Sequence, residues 1–479
     1  INEMSYDLNS YFQLGLDSEA TPQNSLVMNT IRTPVDVQSG RAGLNKVTFK
    51  VPKAGLLTGD SMVTLQLIAN PTAAVAPTSN ATPNFISGAL GCIQRARLVI
   101  DNKVLTDIER PSLMEIPKLY TRNTQNEVSQ LNYKFMGNQF QTKVNPANGM
   151  NEFDIANTRY LSADDETADT QNVVRNRITT AAASKTYGLH LKHLGAEFLE
   201  NRSLPVFLMG AREIILELFF YKDCREYITM TQGTSGDLAD DSFIVNVETC
   251  ELVTTHIQIP DDVAANEIAA LASKPLTYPL LDNYVVKGGI ATLGSGAPIP
   301  NTFRINAQNR ELHKVLMVQT LPPTADIITE RVAANQKALA DGDHSVQIKS
   351  NGLNLYERPI TNPSLFQQQS VYAYDGMALK LPYNTFNVNS RASNIPQSTK
   401  SLSRAINGIA QYFAVDFRNG NGGVFGAGSV QKQTLEIEYT VTPRSTTFPN
   451  QANLQYNTLF YLTVSKLLTI GSRMVEISF

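Results

Sequence analysis

Residues 303–320 read FRINAQNRELHKVLMVQT. Phe303 and Ile305 alternate with Arg304 and Asn306, the two-residue period of a half-buried strand. A polar turn follows, and then Val315, Leu316, Met317 and Val318 are apolar on both parities. A strand of that kind has both faces covered. The stretch is expected to be a hairpin of two strands. It carries one histidine, no paired acids and no metal-ligand spacing.

Strand signals of this kind run the length of the chain. NKVTFKVPKAG (45–55) alternates Val47, Phe49 and Val51 with Thr48 and Lys50, and DSMVTLQLIA follows a Gly59-Asp60 turn. RARLVIDNKVLTDIERPSLMEI (95–116) holds Asp101-Asn102, a pair suited to a tight hairpin turn at positive φ. Pro111 then opens a short helix, where its missing N–H costs nothing. The device returns in SVQIKSNGLNLYERPITNPSLFQQQ, with Asn351-Gly352 as the turn. Glu357-Arg358-Pro359 repeats Glu109-Arg110-Pro111 at an offset of 357 − 109 = 248 residues. Turn, tripeptide and helix in one order point to a duplicated chain of two similar β-domains.

KTYGLHLKHLG, LPVFLMGAREIILELFFY and SFIVNVETCELVTTHIQIP supply the later strands of the first half. DDVAANEIAALASKP reads as a short amphipathic helix and linker ending at Pro275. YPLLDNYVVKGG, QTLEIEYTVTP and TLFYLTVSKLLTIGSRMVEISF supply strands of the second half. The expected fold class is all-β, with short helices and long surface loops. Jelly rolls and immunoglobulin-like sandwiches share this pattern, and strand order does not follow from it. The expected division is a 1–29 N-terminal arm, a 30–265 first domain, a 266–275 linker and a 276–479 second domain. A polar stretch over about 138–185 is expected to be an exposed loop at the outer end of the first domain.

Composition narrows function. The chain has 479 residues, and charged residues make up 17% against about 25% in an average domain. A net charge of -3 and a pI near 6.0 argue against wrapping nucleic acid on a basic surface. Cys92, Cys224 and Cys250 are far apart and form no CxxC, so a disulfide framework is not expected. The sequons at Asn80 and Asn201 are read as chance matches. No run of about 18 apolar residues marks a transmembrane helix.

No motif points to catalysis. Asp164, Asp165, Glu166 and Asp169 cluster in SADDETAD without the glycine or spacing of a calcium loop, and read as a solvated loop. His190 and His193 form HxxH, which in a strand points to opposite faces and cannot chelate one metal. His256, His313 and His344 have no ligand partner nearby in sequence. GNGGVFGAG fits no phosphate-binding spacing and reads as a flexible loop. No catalytic, cofactor-binding or metal residues are therefore assigned.

YPLLDNYVVKGG, FRINAQNRELHKVLMVQ, IKSNGLNLYERP with SLFQQQSVYAY, YNTFNVNSRASNIPQSTKSLSRAINGIAQYFAVDF and TLFYLTVSKLLTIGSRMVEISF come in an order that resembles the second domain of double jelly-roll major capsid proteins. GALGCIQRARLVIDNKVLTDIE and FLENRSLPVFLMGAREIILELFF resemble their first domain. These proteins form the shells of polinton-like viruses, virophages and large eukaryotic DNA viruses. The chain lacks the tryptophan that many relatives carry at VLMVQ, and Pro396-Gln397-Ser398-Thr399 lacks the glycine of their Pro-Ser-Gly-Thr motif. That directs the resemblance to the smaller lineages.

The resemblance implies two consecutive eight-stranded jelly rolls, standing side by side in a non-enzymatic shell subunit. It implies homotrimers that form pseudo-hexameric capsomers in an icosahedral virion, assembled inside the infected host cell. The implied partners are the chain itself, neighbouring capsomers, and penton and minor capsid or cement proteins. An internal membrane is left open as a partner, and no specific nucleic-acid binding is implied. The N-terminal arm is expected beneath the capsomer. The alternative is a glycan-binding or glycan-processing β-sandwich protein, which needs aromatic platforms or calcium ligands.

Overall fold

The computed structural model describes residues 28–34, 45–70, 81–83, 88–115, 143–145, 150–152, 185–200, 202–230, 240–292, 299–306, 310–320, 343–350, 352–361, 373–374, 413–417, 430–431, 434–442, 455–472 and 474–478. Nearly all of the N-terminal arm, most of the 138–185 stretch, SADDETAD, the 396–399 motif and most of the glycine-rich loop lie outside them.

Eight strands build a first sandwich: β1 (Met28–Pro34), β2 (Lys46–Lys50), β3 (Met62–Ala69), β4 (Ile93–Ile100), β5 (Lys103–Glu109), β6 (Lys185–His190), β7 (Ile214–Phe220) and β8 (Phe243–Ile257). Eight more build a second: β9 (Leu276–Thr292), β10 (Ile299–Asn306), β11 (Glu311–Thr320), β12 (Asp343–Ser350), β13 (Leu353–Asn354), β14 (Phe413–Asp416), β15 (Thr434–Thr442) and β16 (Gln455–Ile470). The sheets of the first are β1–β8–β3–β6 and β2–β7–β4–β5, and those of the second are β9–β16–β11–β14 and β10–β15–β12–β13. Each strand of the second sandwich takes the place of the strand eight before it. Both orders are those of a jelly roll, so the fold is two consecutive eight-stranded jelly rolls. A helix, Asp261–Ala270, lies between β8 and β9, with Asp261 and Asp262 in its first turn facing the positive end of the helix dipole.

Local chemistry explains the turns. Asp101 and Asn102 take φ of 48° and 64°, the paired positive values that let a two-residue turn follow the twist of β4 and β5. Gly352 closes the matching β12–β13 turn at φ 81°. Residues 111–115 are helical from Pro111 onward. The segment after Pro359 that would hold the second short helix falls mainly outside the described residues.

Three expectations need correction. Residues 303–320 are not a hairpin. β10 pairs with β15, and β11 pairs with β14 and β16, so the two strands belong to opposite sheets. KTYGLHLKHLG is a strand only to His190, and Leu191–Leu194 turns as a 3-10 helix. The opening of LPVFLMGAREIILELFFY is likewise 3-10 over Val206–Met209, and its strand begins at Ile214. Gly195 at φ 90° and Gly210 at φ 57° end those two turns, a local signal that the apolar pattern masked.

The two-sided strand behaves as its sequence requires. Val315 and Met317 of β11 point into the core of the second sandwich, with Phe413, Val415, Phe460 and Leu462. Leu316 and Val318 point the other way, into the core that contains the first sandwich, with Ala414, Leu459 and Tyr461. One sheet thus serves two cores. Leu316→Ala and Met317→Ala should each cost about 2–5 kcal/mol despite facing opposite ways, read from urea unfolding midpoints. Gly55→Ala should be at least as damaging, because its φ is 119° and a Cβ would sit 2.2 Å from the Ile257 carbonyl oxygen.

Candidate functional site

The most elaborate constellation of polar side chains in the described residues is the seam between the two sandwiches. It forms because the outer face of β9–β16–β11–β14 is apolar and lies on the first sandwich. Around that apolar centre, polar groups of one half seek backbone of the other. The Tyr461 hydroxyl reaches the carbonyls of Glu109 and Arg110, at 3.1 and 2.9 Å. The hydroxyl of Tyr278 donates to the Ser203 carbonyl at 3.2 Å, and the Arg202 guanidinium donates to the Pro279 carbonyl at 2.8 Å. Asn283 Nδ2 donates to Glu197 Oε2 at 2.6 Å, and Arg212 Nη2 donates to the Gly471 carbonyl at 3.0 Å.

Beside the seam stands a buried ion pair, Lys466 Nζ to Asp282 Oδ2 at 2.8 Å, with side-chain exposures of 4% and 7%. Lys466 also donates to the Leu105 carbonyl of β5, so one ammonium ties both halves. Burial pushes the Asp282 carboxyl above its ordinary range, and the neighbouring Lys466 charge opposes that shift. The pair borders a cleft of about 380 Å³ that Arg95, Asp107, Glu109 and Arg310 also line. Arg95 holds Asp107 through Nε at 2.7 Å, and Arg310 stacks over the Tyr284 ring at 4.4 Å. Charges of both signs balance there, which suits a joint between two protein surfaces.

This joint was missed from sequence. The available signal was a single charge inside each of two apolar strands, Asp282 in YPLLDNYVV and Lys466 in LTVSKLLTI. An isolated ionisable residue in such a run needs a partner.

The histidines are not placed as expected. His190 ends β6 and His193 lies in the turn after it, so the strand argument does not apply, and their rings approach edge to face at 6.1 Å. His193 Nδ1 is 2.9 Å from Glu115 Oε2, whose side chain is fully buried. His256 is buried with Nε2 2.9 Å from Thr254 Oγ1, and His313 Nε2 lies 2.5 Å from Ser465 Oγ. The side chain of His344 and the acids of SADDETAD are outside the described residues. Among the described residues no group of three potential metal ligands occurs. Cys92, Cys224 and Cys250 are all buried and unbridged, and burial raises the pKa of the Cys92 and Cys250 thiols, the latter to about 12. Of the two sequons, Asn80 and Asn201 lie outside the described residues, and Ser203 is buried.

No family model and no curated protein matches the sequence. Solved structures do match in fold. PBCV-1 VP54, as fitted into a reconstruction of the virophage Sputnik, aligns with a TM-score of 0.58 at 14% identity, over 97% of this chain and 99% of that one. The mavirus major capsid protein aligns at 0.54 and 11% identity, over 97% and 93%. The Faustovirus major capsid protein aligns at 0.50 and 9% identity, over 96% and 93%. At such identities the likeness is one of fold, and it spans almost the whole of each chain.

Two measurements test the site. Lys466→Met should cost about 3–5 kcal/mol by stranding Asp282, and adding Asp282→Leu should restore most of that loss in chemical denaturation. Burial also lowers His190 and His256 to about 4 from 6.5. A histidine depressed in the folded state favours folding above its ordinary pKa and loses that contribution as pH falls toward the depressed value. Stability should therefore decline from about pH 6.5 to about pH 4, by up to about 1.4 kcal/mol per pH unit for one fully buried ring. His256→Gln should make that acid limb shallower.

Proposed function

We propose that this chain is the major capsid protein of a double-stranded DNA virus, a non-enzymatic subunit of the virion shell. The carrying observation is that two jelly rolls of the same strand order are fused through one shared sheet, over a length that capsid-protein structures match almost end to end. Such a unit is rigid, has no need of an active site, and offers two similar building blocks in one chain.

The proposed assembly is a homotrimer. Two sandwiches per chain give six in three chains, enough for a pseudo-hexameric capsomer that tiles an icosahedral shell. The contact between chains is heterologous, and the ring closes after three. The proposed division is residues 30–265 and 276–479 for the two rolls, joined by 266–275, with 1–29 as an arm beneath the capsomer and 138–185 as an outer loop. The proposed partners are further copies of the chain, pentons and minor capsid or cement proteins. The glycan-binding alternative draws no support from the fold neighbours.

Light scattering on assembly-competent protein should give three times the 52.6 kDa chain mass, and electron microscopy should show three-fold capsomers or shells. A stable monomer or dimer that builds shells without passing through a trimer would overturn the trimer.

A further inference from the structure

The cleft beside the Lys466–Asp282 pair is built by both sandwiches. The first supplies Arg95 from β4, with Asp107 and Glu109 from β5. The second supplies Asp282 and Tyr284 from β9, Lys466 from β16, and Arg310 just before β11. Three cations and three carboxylates thus line about 380 Å³. Two pairs are committed to each other. Arg95 grips Asp107 at two points, Nε to Oδ1 at 2.7 Å and Nη2 to Oδ2 at 2.5 Å. Lys466 donates to Asp282 Oδ2 and to the Val104 and Leu105 carbonyls. The other oxygen of that carboxylate, Asp282 Oδ1, is buried and has no hydrogen-bond partner among the described residues, and Asp282 as a whole is 5% exposed. A carboxylate oxygen withdrawn from water in this way calls for a donor. Two further charges are more open to solvent. The Glu109 side chain is 41% exposed, with Lys287 Nζ 3.4 Å away, and Arg310 is half-buried over the Tyr284 ring.

We infer that this cleft binds a small zwitterion of the amino-acid class, one primary ammonium and one carboxylate on a short chain. The ammonium donates to Asp282 Oδ1 and lies toward Glu109. The carboxylate pairs with the Arg310 guanidinium, whose planar fork of donors matches two carboxylate oxygens. Charge decides the class of ligand. The lining carries as many cations as carboxylates, so a simple cation or anion meets no excess of opposite charge, whereas a ligand with both charges meets a partner for each. An apolar ligand would strip water from the lining and return nothing. Among the described residues no three ligands come together for a metal ion. A volume of about 380 Å³ is that of a small-molecule site. Because the ligand touches residues of both sandwiches, it acts as a strut across their joint, and it raises the stability of the folded chain by mass action. The inference concerns a single chain and does not depend on how copies assemble.

Calorimetric titration of the full-length chain with glycine, β-alanine, γ-aminobutyrate and 6-aminohexanoate tests the assignment, since these probes differ only in the spacing of their two charges. One-to-one saturable binding should appear, tightest at one spacing, and the same probe should raise the thermal unfolding midpoint. Acetate and methylammonium each carry half of the ligand, and glycine betaine has no N–H to donate. All three should bind at least about tenfold more weakly than the best probe. Arg310→Gln and Glu109→Gln should each weaken that probe about threefold or more, the loss of one partly exposed ion pair. Both side chains are open enough to solvent that the ligand-free midpoint should stay near that of the wild type. If Arg310→Gln lowers it, Glu109→Gln decides. The assignment is overturned by the absence of saturable binding to any of the four probes. It is equally overturned if acetate or methylammonium binds as tightly as the best probe, or if that probe's affinity is unchanged in Glu109→Gln. Each of these results leaves the shell-subunit reading untouched.

Discussion

One sheet that serves two cores governs this molecule. β9–β16–β11–β14 closes the second sandwich on one side and docks on the first sandwich on the other. Its central strands therefore alternate between two cores: Met317 and Phe460 serve one, Leu316 and Leu459 the other. Because side chains alternate along a strand, slipping β11 by one residue would exchange the contents of both cores at once. That fixes register more firmly than a single buried face does. It also explains why the strand is apolar on both parities when its counterpart, β3, alternates Val63, Leu65 and Leu67 with Thr64 and Gln66.

Apolar contact fixes which face docks, and polar groups fix how. The carbonyls of β5 and of the Glu109-Arg110 corner would lose water on docking, and Tyr461 and Lys466 replace it. A buried Lys–Asp pair is weak evidence for stability, since desolvation offsets most of its attraction. Its value here is positional. The pair forms between neighbouring strands of one sheet, and the further bond from Lys466 to the Leu105 carbonyl sets where β5 of the first sandwich meets it.

The two halves keep one topology and differ in surface chemistry. Identical strand orders carry an apolar outer face in one sandwich and a mixed polar face in the other. A permanent contact within a chain tolerates large apolar area. A face open to solvent does not, because exposed apolar patches aggregate.

Strands and turns were legible in the sequence because they are local. Asp101-Asn102 and Asn351-Gly352 dictate their turns through the few residues that accept positive φ, and the alternation of Val47 and Phe49 or of Leu435 and Ile437 marks a buried face directly. The repeated tripeptide exposed the duplication, and the two covered faces of residues 315–318 were written in their parity. Partner choice was not legible. Nothing between Asn306 and Glu311 says that the chain crosses to the opposite sheet, because Ile305 meets Leu435 and Leu316 meets Tyr461, contacts that close only when the whole sandwich forms. The meeting of Lys466 with Asp282 was hidden for the same reason, whereas His190 meets His193 through a local 3-10 turn that the apolar pattern masked. A local pattern sets which way a side chain points, and only the packing of distant strands sets what it finds there.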